Sequence, residues 1–410
     1  MKEIPGGVCA PKGFMAGGIR CGIKAASDKK DLALICSQKP CTAAAVFTTN
    51  LVQAACVLVT KEHIEGGTLQ AIIANSGNAN ACTGGAGLAA ARRMAELAAG
   101  KLAIDVRKVA VASTGVIGVP LPIDAIENGM DALADSLTDG QAGHAAALDA
   151  IMTTDTRRKE VSVEIEIGGV PVRIGGMAKG AGMIHPNMAT MLCFLTTDAA
   201  IPRETLDMLL RRATRLSFNR LSIDGDTSTN DMVVIMANGA SGIPPLADGS
   251  VELDVFARAL DGVCVALTRA IARDGEGASR MVTVTVSGAA DEEGAELLAK
   301  SIASSSLVKT ACFGADANWG RILCAMGYSG ARFEPARTGV RFKSDAGEIA
   351  VYADGTPIPF CEDEAKKILS RDEIEILVDV GNTGVNGAEA TVWGCDLTYD
   401  YVKINGDYRS

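Results

Sequence analysis

The residues with the most chemical promise lie between Gly175 and Phe194. Gly175, Gly176, Gly180 and Gly182 fall close together, a density that signals close backbone approach or positive φ. His185-Pro186-Asn187 follows as a turn signal, and Met191–Leu195 is an apolar, strand-like run. Thr190 therefore stands where a turn feeds a buried strand. By residue type alone it is an ordinary strand-start threonine. A threonine hydroxyl is a poor nucleophile without a base. If the bond before it is cut, its own α-amine becomes that base, with a pKa of about 7.7–8.0 that suits work near neutral pH. The cut would fall between Ala189 and Thr190. A strained glycine-rich turn that presses the hydroxyl against the preceding carbonyl would start it as an N-to-O acyl shift.

Other residues could serve such a nucleophile, and each has a plainer reading beside the chemical one. Thr114 ends a buried run and Gly115 opens a turn, where a free N–H can point into a cleft as an oxyanion donor; an ordinary strand-end turn looks the same. Lys179 lies in the glycine-rich stretch rather than on a helix face, and Glu276 follows a long helix in Asp274-Gly275-Glu276-Gly277. Either could line a site or be a solvated surface charge. Thr153, the first of two paired threonines, reads equally as a turn or helix cap. Gly84-Gly85-Ala86-Gly87 lacks the full dinucleotide-binding pattern and reads as structural. Asp224, Asp226 and Asp231 miss calcium-loop spacing and are expected to hold turns. The 12 Cys form no C-x-x-C pair and there are only 3 His, so no metal site is expected and the cysteines read as small buried thiols of a reducing compartment.

The elements that must position these residues are of mixed α/β type. Strand-like runs stand at Leu32–Ile35, Ala44–Phe47, Cys56–Thr60, Leu69–Ala74 and Val109–Ala112. Ala86–Ala99 reads as a helix stopped by Gly100, and Ile123–Leu137 as a second helix after Pro122. Val161–Ile174 alternates with period two around a Gly-Gly turn and predicts a hairpin. Helices follow over Glu204–Leu216 and Val251–Arg273. From about Met281 short strands dominate, at Met281–Ser287, Val308–Phe313, Val340–Phe342, Ile349–Ala353, Glu373–Val380 and Ala388–Asp396, with helices at Glu293–Ala303 and Asp363–Leu369. The pattern predicts a larger α/β domain over residues 1–280, with helices layered against a mixed sheet, and a smaller α+β lobe over 281–410.

The chain of 410 residues is 48% hydrophobic and 21% charged, an ordinary globular balance. Aromatics are only 4% against 45 Gly, so the core must rest on Ala, Val, Leu and Ile. A net charge of −10 without basic runs makes a nucleic-acid partner unexpected. The first residues hold no apolar signal region, and no stretch of about 18 apolar residues occurs, so neither a signal peptide nor a membrane span is expected.

Long motifs in order along nearly the whole chain resemble the ornithine acetyltransferase family, whose members are also called bifunctional glutamate N-acetyltransferases. They include Asn75-Ser76-Gly77-Asn78-Ala79-Asn80-Ala81-Cys82-Thr83-Gly84, Ser113-Thr114-Gly115-Val116-Ile117-Gly118 and Met152-Thr153-Thr154-Asp155-Thr156. The glycine-rich segment matches through Lys179-Gly180-Ala181-Gly182-Met183-Ile184, Ala189-Thr190-Met191 and Leu195-Thr196-Thr197-Asp198. Ser217-Phe218-Asn219-Arg220, Asp224 to Asp231, Arg273 to Ala278, Gly314 to Arg321 and Asn405 to Ser410 complete it. The resemblance implies self-cleavage before Thr190 and transfer of acetyl from N2-acetyl-L-ornithine to L-glutamate through an acetyl-threonine, in arginine biosynthesis. It implies Thr114 and Gly115 at the oxyanion, and Thr153, Lys179, Thr190, Glu276, Asn405 and Ser410 as substrate contacts. It further implies a fold like that of self-cleaving aminopeptidases and a cytoplasmic heterotetramer of two of each fragment, residues 1–189 and 190–410. No cofactor is implied, although some members accept acetyl-CoA as a second donor. Two other readings stay open from sequence: an N-terminal-threonine amidase or aminopeptidase in which water replaces glutamate, and a non-catalytic binding protein in which the glycine-rich segment is only a tight corner.

Overall fold

In a computed structural model, residues 1–24, 27–185, 191–381 and 387–407 are described. They divide into two compact units. The first comprises residues 1–180, 186–219 and 227–267; the second comprises 181–185, 220–226 and 268–410. The second unit's strand-rich body begins at Met281, where the composition changes. The unit itself starts earlier, at Thr268, and takes in two short excursions of the chain.

The first unit holds a nine-stranded mixed sheet. From one edge its strands run Lys2–Glu3, Lys159–Ile167, Val170–Lys179, Leu192–Thr197, Met232–Ala237, Leu32–Phe47, Thr68–Asn78 and Val109–Val116, and Phe14–Ile19 pairs with Leu32–Phe47. Met232–Ala237 is parallel to Leu192–Thr197, and Thr68–Asn78 is parallel to Val109–Val116; the other pairings are antiparallel. The expected hairpin is present as Lys159–Ile167 and Val170–Lys179, closed at Gly168-Gly169 with both glycines at positive φ. Leu32–Ile35 and Ala44–Phe47 belong to one 16-residue strand. Its exposed stretch around Lys39 and Pro40 coincides with a register shift between Cys36 and Cys41, which hides the continuity from a sequence reading.

Cys56–Thr60 is not a strand. It lies in the helix Ala55–His63, which buries Cys56, Val59, Thr60 and His63 on one face. The reason is tertiary. Val109–Val116 is the sheet's last strand on that side. The Thr60 hydroxyl donates to Val111 O and accepts from Val111 N–H, both at 2.7 Å, and His63 Nδ1 lies 2.7 Å from Val109 O. The helix thus satisfies an edge that would otherwise be open. The Ala-rich helix Gly84–Leu102 runs through Gly100 and ends with Ala103 in the left-handed region at φ 53°. Its buried face is small, with Ala91, Ala95 and Ala98 beside Met94.

The second unit holds a seven-stranded sheet in the order Thr356–Pro357, Gly347–Ala353, Gly339–Ser344, Glu373–Asp379, Met281–Ala289, Ala388–Cys395 and Leu221–Ser222. Glu373–Asp379 alternates buried and half-buried residues in step with its sequence. Val308–Phe313, expected as a strand, is part of the helix Ser306–Phe313. Ser305 caps it, its side chain accepting from Val308 N–H, and Val308, Ala311 and Cys312 turn inward. Val284, Val286, Leu298, Ile302, Phe342 and Ile376 are part of this unit's core. Among the described residues no helix is long and apolar enough to cross a membrane.

The C-terminus of the Gly84–Leu102 helix has its glycine three positions early. Gly100 is exposed, with open space where a Cβ would sit, whereas Ala103 carries the positive φ. Exchanging them, Gly100→Ala with Ala103→Gly, removes a flexible helical residue and a left-handed alanine, each worth about 1 kcal/mol. The exchange is expected to raise the melting temperature in a thermal scan; an unchanged or lower value counts against this reading of the helix end.

Candidate active site

In the first unit, four of the expected site residues, Thr114, Gly115, Thr153 and Lys179, come together. Thr114 and Gly115 lie at the end of Val109–Val116, where pairing with Thr68–Asn78 becomes irregular around Gly77 and Asn78. Gly115 has φ +135°, and a Cβ there would fall 2.3 Å from the carbonyl carbon of Gly77 and 2.5 Å from Asn78 N. Only glycine fits. The asparagines of the Asn75–Asn80 motif hold this corner. Asn75 Nδ2 donates to Asn78 O at 2.8 Å, and Asn78 Nδ2 to Val119 O and Pro120 O at 3.1 Å each. From the neighbouring loop, Asn230 Nδ2 donates to Ser113 O at 2.8 Å and Ala79 O at 2.6 Å.

Lys179 ends the strand Val170–Lys179 and is buried, so the surface-charge reading does not hold. Its ammonium donates to Thr153 Oγ1 at 2.8 Å and to Thr114 Oγ1 at 3.1 Å. The two threonines are thereby joined through one cation.

Beneath them lies a carboxylate of the Met152–Thr156 motif, for which sequence alone offers no role. Asp155 is buried and accepts from Thr153 N–H at 3.0 Å, Gly180 N–H at 2.7 Å and Lys159 Nζ at 2.6 Å. Lys159 is itself only 1% exposed. Burial pushes the Asp155 carboxyl up, but the ammonium groups of Lys179 and Lys159 and the Gly180 N–H outweigh it and hold it well below the usual carboxylate range. The only sequence signal for this pair was a charged residue four positions after another.

In the second unit, Glu276 and Asn405 meet. Glu276 is 9% exposed and accepts from Asn405 Nδ2 at 2.8 Å, while its N–H donates to Ala181 O at 2.8 Å. Gly182 makes room for it, since a Cβ there would lie 2.2 Å from Glu276 Oε2. Asn405 belongs to the helix Tyr399–Gly406, whose cap Thr398 donates its hydroxyl to Gly277 O at 2.6 Å. The chain's last helix therefore docks against the loop that carries Glu276. Asp224 holds a turn, as expected: it accepts from Met183 N–H at 2.5 Å, Ile184 N–H at 2.8 Å and the Tyr401 hydroxyl at 3.2 Å. Burial, then the nearby Asp224 and Glu276 carboxylates, push the Tyr401 phenol well above its ordinary pKa. Ala189, Thr190 and Ser410 lie outside the described residues.

A family model described as the ArgJ family matches residues 15–410. The chain belongs to the ArgJ family. The arginine biosynthesis bifunctional protein ArgJ of Symbiobacterium thermophilum is 51% identical over 411 aligned residues, covering 100% of both chains. That of Caldanaerobacter subterraneus subsp. tengcongensis is 48% identical over 410, again covering 100% of both. A crystal structure of arginine biosynthesis bifunctional protein argJ from Bacillus halodurans is 43% identical, covers 52% of this chain and 97% of its own, and has a TM-score of 0.49. The residues matched by the family span both units and every expected site position from Thr114 to Ser410.

The Asp155 carboxyl sits below its ordinary pKa, so its stabilisation is complete above the unfolded value of about 3.9 and is lost as pH falls through the lower folded value. Asp155→Ala leaves the Lys159 ammonium buried without this partner, a change that typically costs about 3–5 kcal/mol. Asp155→Asn is expected to lose stability at neutral pH and to flatten the acid limb below about pH 4. Melting temperature against pH checks both; a parallel acid limb in the variant would show that this carboxylate is not its source.

Proposed function

We propose that this chain is a glutamate N-acetyltransferase of arginine biosynthesis that carries acetyl from N2-acetyl-L-ornithine to L-glutamate on Thr190. The observation that carries the reading is the family match over residues 15–410, combined with a buried lysine that draws Thr114 and Thr153 together. That family membership favours acetyl transfer over the hydrolase reading, and an acyltransferase over a binding protein.

In this reading, Thr190 Oγ attacks the carbonyl of Ala189 and the C–N bond breaks, which frees the threonine α-amine as the ester forms; hydrolysis of that ester then releases the Ala189 carboxylate and restores the Thr190 hydroxyl. In the first transfer the Thr190 hydroxyl attacks the acetyl carbon of acetyl-ornithine, its α-amine takes the hydroxyl proton, and the leaving ornithine amine collects that proton. Glutamate's amine then attacks the acetyl ester and regenerates the hydroxyl. Amide passes to ester and back to amide, so the cycle needs no ATP.

The oxyanion of both steps falls to the Thr114 hydroxyl and the Gly115 N–H. Lys179 supports this geometry: its N–H occupies a lone pair of Thr114 Oγ1, leaving the O–H of Thr114 free to donate elsewhere. Lys179 and Thr153 serve a substrate carboxylate, Glu276 the ornithine side-chain ammonium, and Asn405 and Ser410 complete the contacts. The relatives are named bifunctional, and we extend this to acetyl-CoA as a second donor, with no resident cofactor. The working form is a cytoplasmic heterotetramer of two copies of residues 1–189 and two of 190–410.

Intact-mass analysis is expected to find those two fragments, with Thr190 as the second N-terminus. Thr190→Ala should leave one uncut chain without transfer activity, and Thr114→Ala should lower kcat by about 10²–10³-fold while cleavage products still form. Acetyl transfer by a chain still joined at position 190, or acetate release in place of acetylglutamate when glutamate is supplied, would overturn the assignment.

A further inference from the structure

Lys24 lies in the first unit, between the strands Phe14–Ile19 and Leu32–Phe47. Its own N–H donates to Asp31 Oδ2 at 3.0 Å, and the same fully buried carboxylate accepts from Cys21 N–H at 2.7 Å and Gly22 N–H at 3.1 Å. The loop is therefore anchored before its side chain begins. The stem of Lys24 crosses Gly77: a Cβ on Gly77 would lie 2.7 Å from Lys24 Cγ. Gly77 in turn lies directly behind Gly115, where a Cβ would fall 2.3 Å from the Gly77 carbonyl carbon. Lys24, Gly77 and Gly115 thus stack in contact, and the two glycines exist because no side chain fits between the layers.

The head of Lys24 does something different. Its ammonium donates to Met152 O at 2.7 Å and to Lys30 O at 3.1 Å. The Met152 carbonyl belongs to the same peptide unit as the Thr153 N–H, which donates to Asp155 at 3.0 Å. One peptide plane is gripped at both ends, by a cation on its oxygen and a carboxylate on its N–H. Because a peptide unit is planar, these two grips fix the direction in which Thr153 leaves the backbone.

We propose that Lys24 is a positioning residue for acetyl transfer, backing Gly115 with its stem and orienting Thr153 through the Met152 carbonyl with its ammonium. The proposal rests on the roles given above to Gly115 and Thr153. Misplacement by about 1 Å at a reacting centre is enough to cost on the order of 10²-fold in rate. Burial lowers the Lys24 pKa to about 8; the Asp31 and Asp155 carboxylates oppose this, and the Lys29 and Lys179 ammonium groups add to it. Above that pH the head loses its charge and its grip weakens, so kcat should fall on an alkaline limb.

The test uses the full-length enzyme with acetyl-ornithine and glutamate as substrates. Lys24→Met keeps the stem and removes the charged head. It is expected to cleave itself normally by intact mass, to melt near the wild type, and to lose about 10–100-fold in kcat with little change in KM. Lys24→Arg keeps a cation that does not titrate; it should recover most of kcat and lose the alkaline limb. Wild-type kcat in Lys24→Met overturns the proposal, as does a loss of kcat accompanied by an equal loss of folded or cleaved protein. If Lys24→Met does not fold, an unchanged alkaline limb in Lys24→Arg overturns it. Failure of the wild type to transfer acetyl at all would instead sink the assigned function.

Discussion

The Asp155 carboxylate is the point on which the first unit's corner of Thr114, Thr153 and Lys179 depends. It takes a backbone N–H from the turn at Thr153 and another from Gly180 at the end of the strand Val170–Lys179, so two segments distant in sequence share one anion. It also neutralises Lys159, which is almost wholly buried. An isolated ammonium in that position would be expensive, since the effective desolvation penalty is several kcal/mol per ion. The carboxylate makes it tolerable and in return is held ionised by the cations around it. Charge and backbone geometry support each other: the surrounding lysines hold the carboxylate ionised, and the carboxylate offsets the cost of burying Lys159.

Around that anchor the charges do not cancel. Lys24, Lys159 and Lys179 face Asp31 and Asp155, which leaves these five side chains with one excess positive charge. A low-dielectric surrounding strengthens whatever attraction that excess exerts. The chain as a whole is acidic, at −10, so the local sign is a property of this corner rather than of the surface. In the proposed function, a substrate carboxylate would be the complement of such a corner.

The second unit solves a related problem with different means. Glu276 is an acid in a confined place, and it is accommodated by the absence of a side chain at Gly182 and by the amide of Asn405. The C-terminal helix is held by a threonine cap on Gly277 and by the Tyr401 hydroxyl on Asp224. Chain ends usually fray; here polar side chains on each turn of a short helix give it something to hold. The glycines of the 175–182 stretch serve separate ends. A Cβ on Gly175 would meet Gly7 O at 1.9 Å, whereas Gly182 clears the glutamate. One dense cluster thus permits two unrelated close approaches.

The sequence alone determined the chemical vocabulary. The threonine after a glycine-rich turn, the Thr-Gly pair, Lys179 and Glu276 could be singled out because residue types and motif order carry that information. The hairpin of alternating residues and the helix Val251–Arg273 were legible because a long enough run declares its own period. Tertiary structure decided everything that depended on what a segment packs against. Five apolar residues at Cys56–Thr60 are compatible with strand or helix, and the choice fell to a sheet edge that needed Thr60 and His63. The same holds for Val308–Phe313, where a serine cap and an inward face made a helix. Asp155 and Lys24 stayed hidden for a further reason: a charged residue near a threonine pair or in a loop has no periodic signature. Their backbone partners lie up to 128 residues away. Only folding brings a carbonyl to a lysine at that separation, and no local pattern records it.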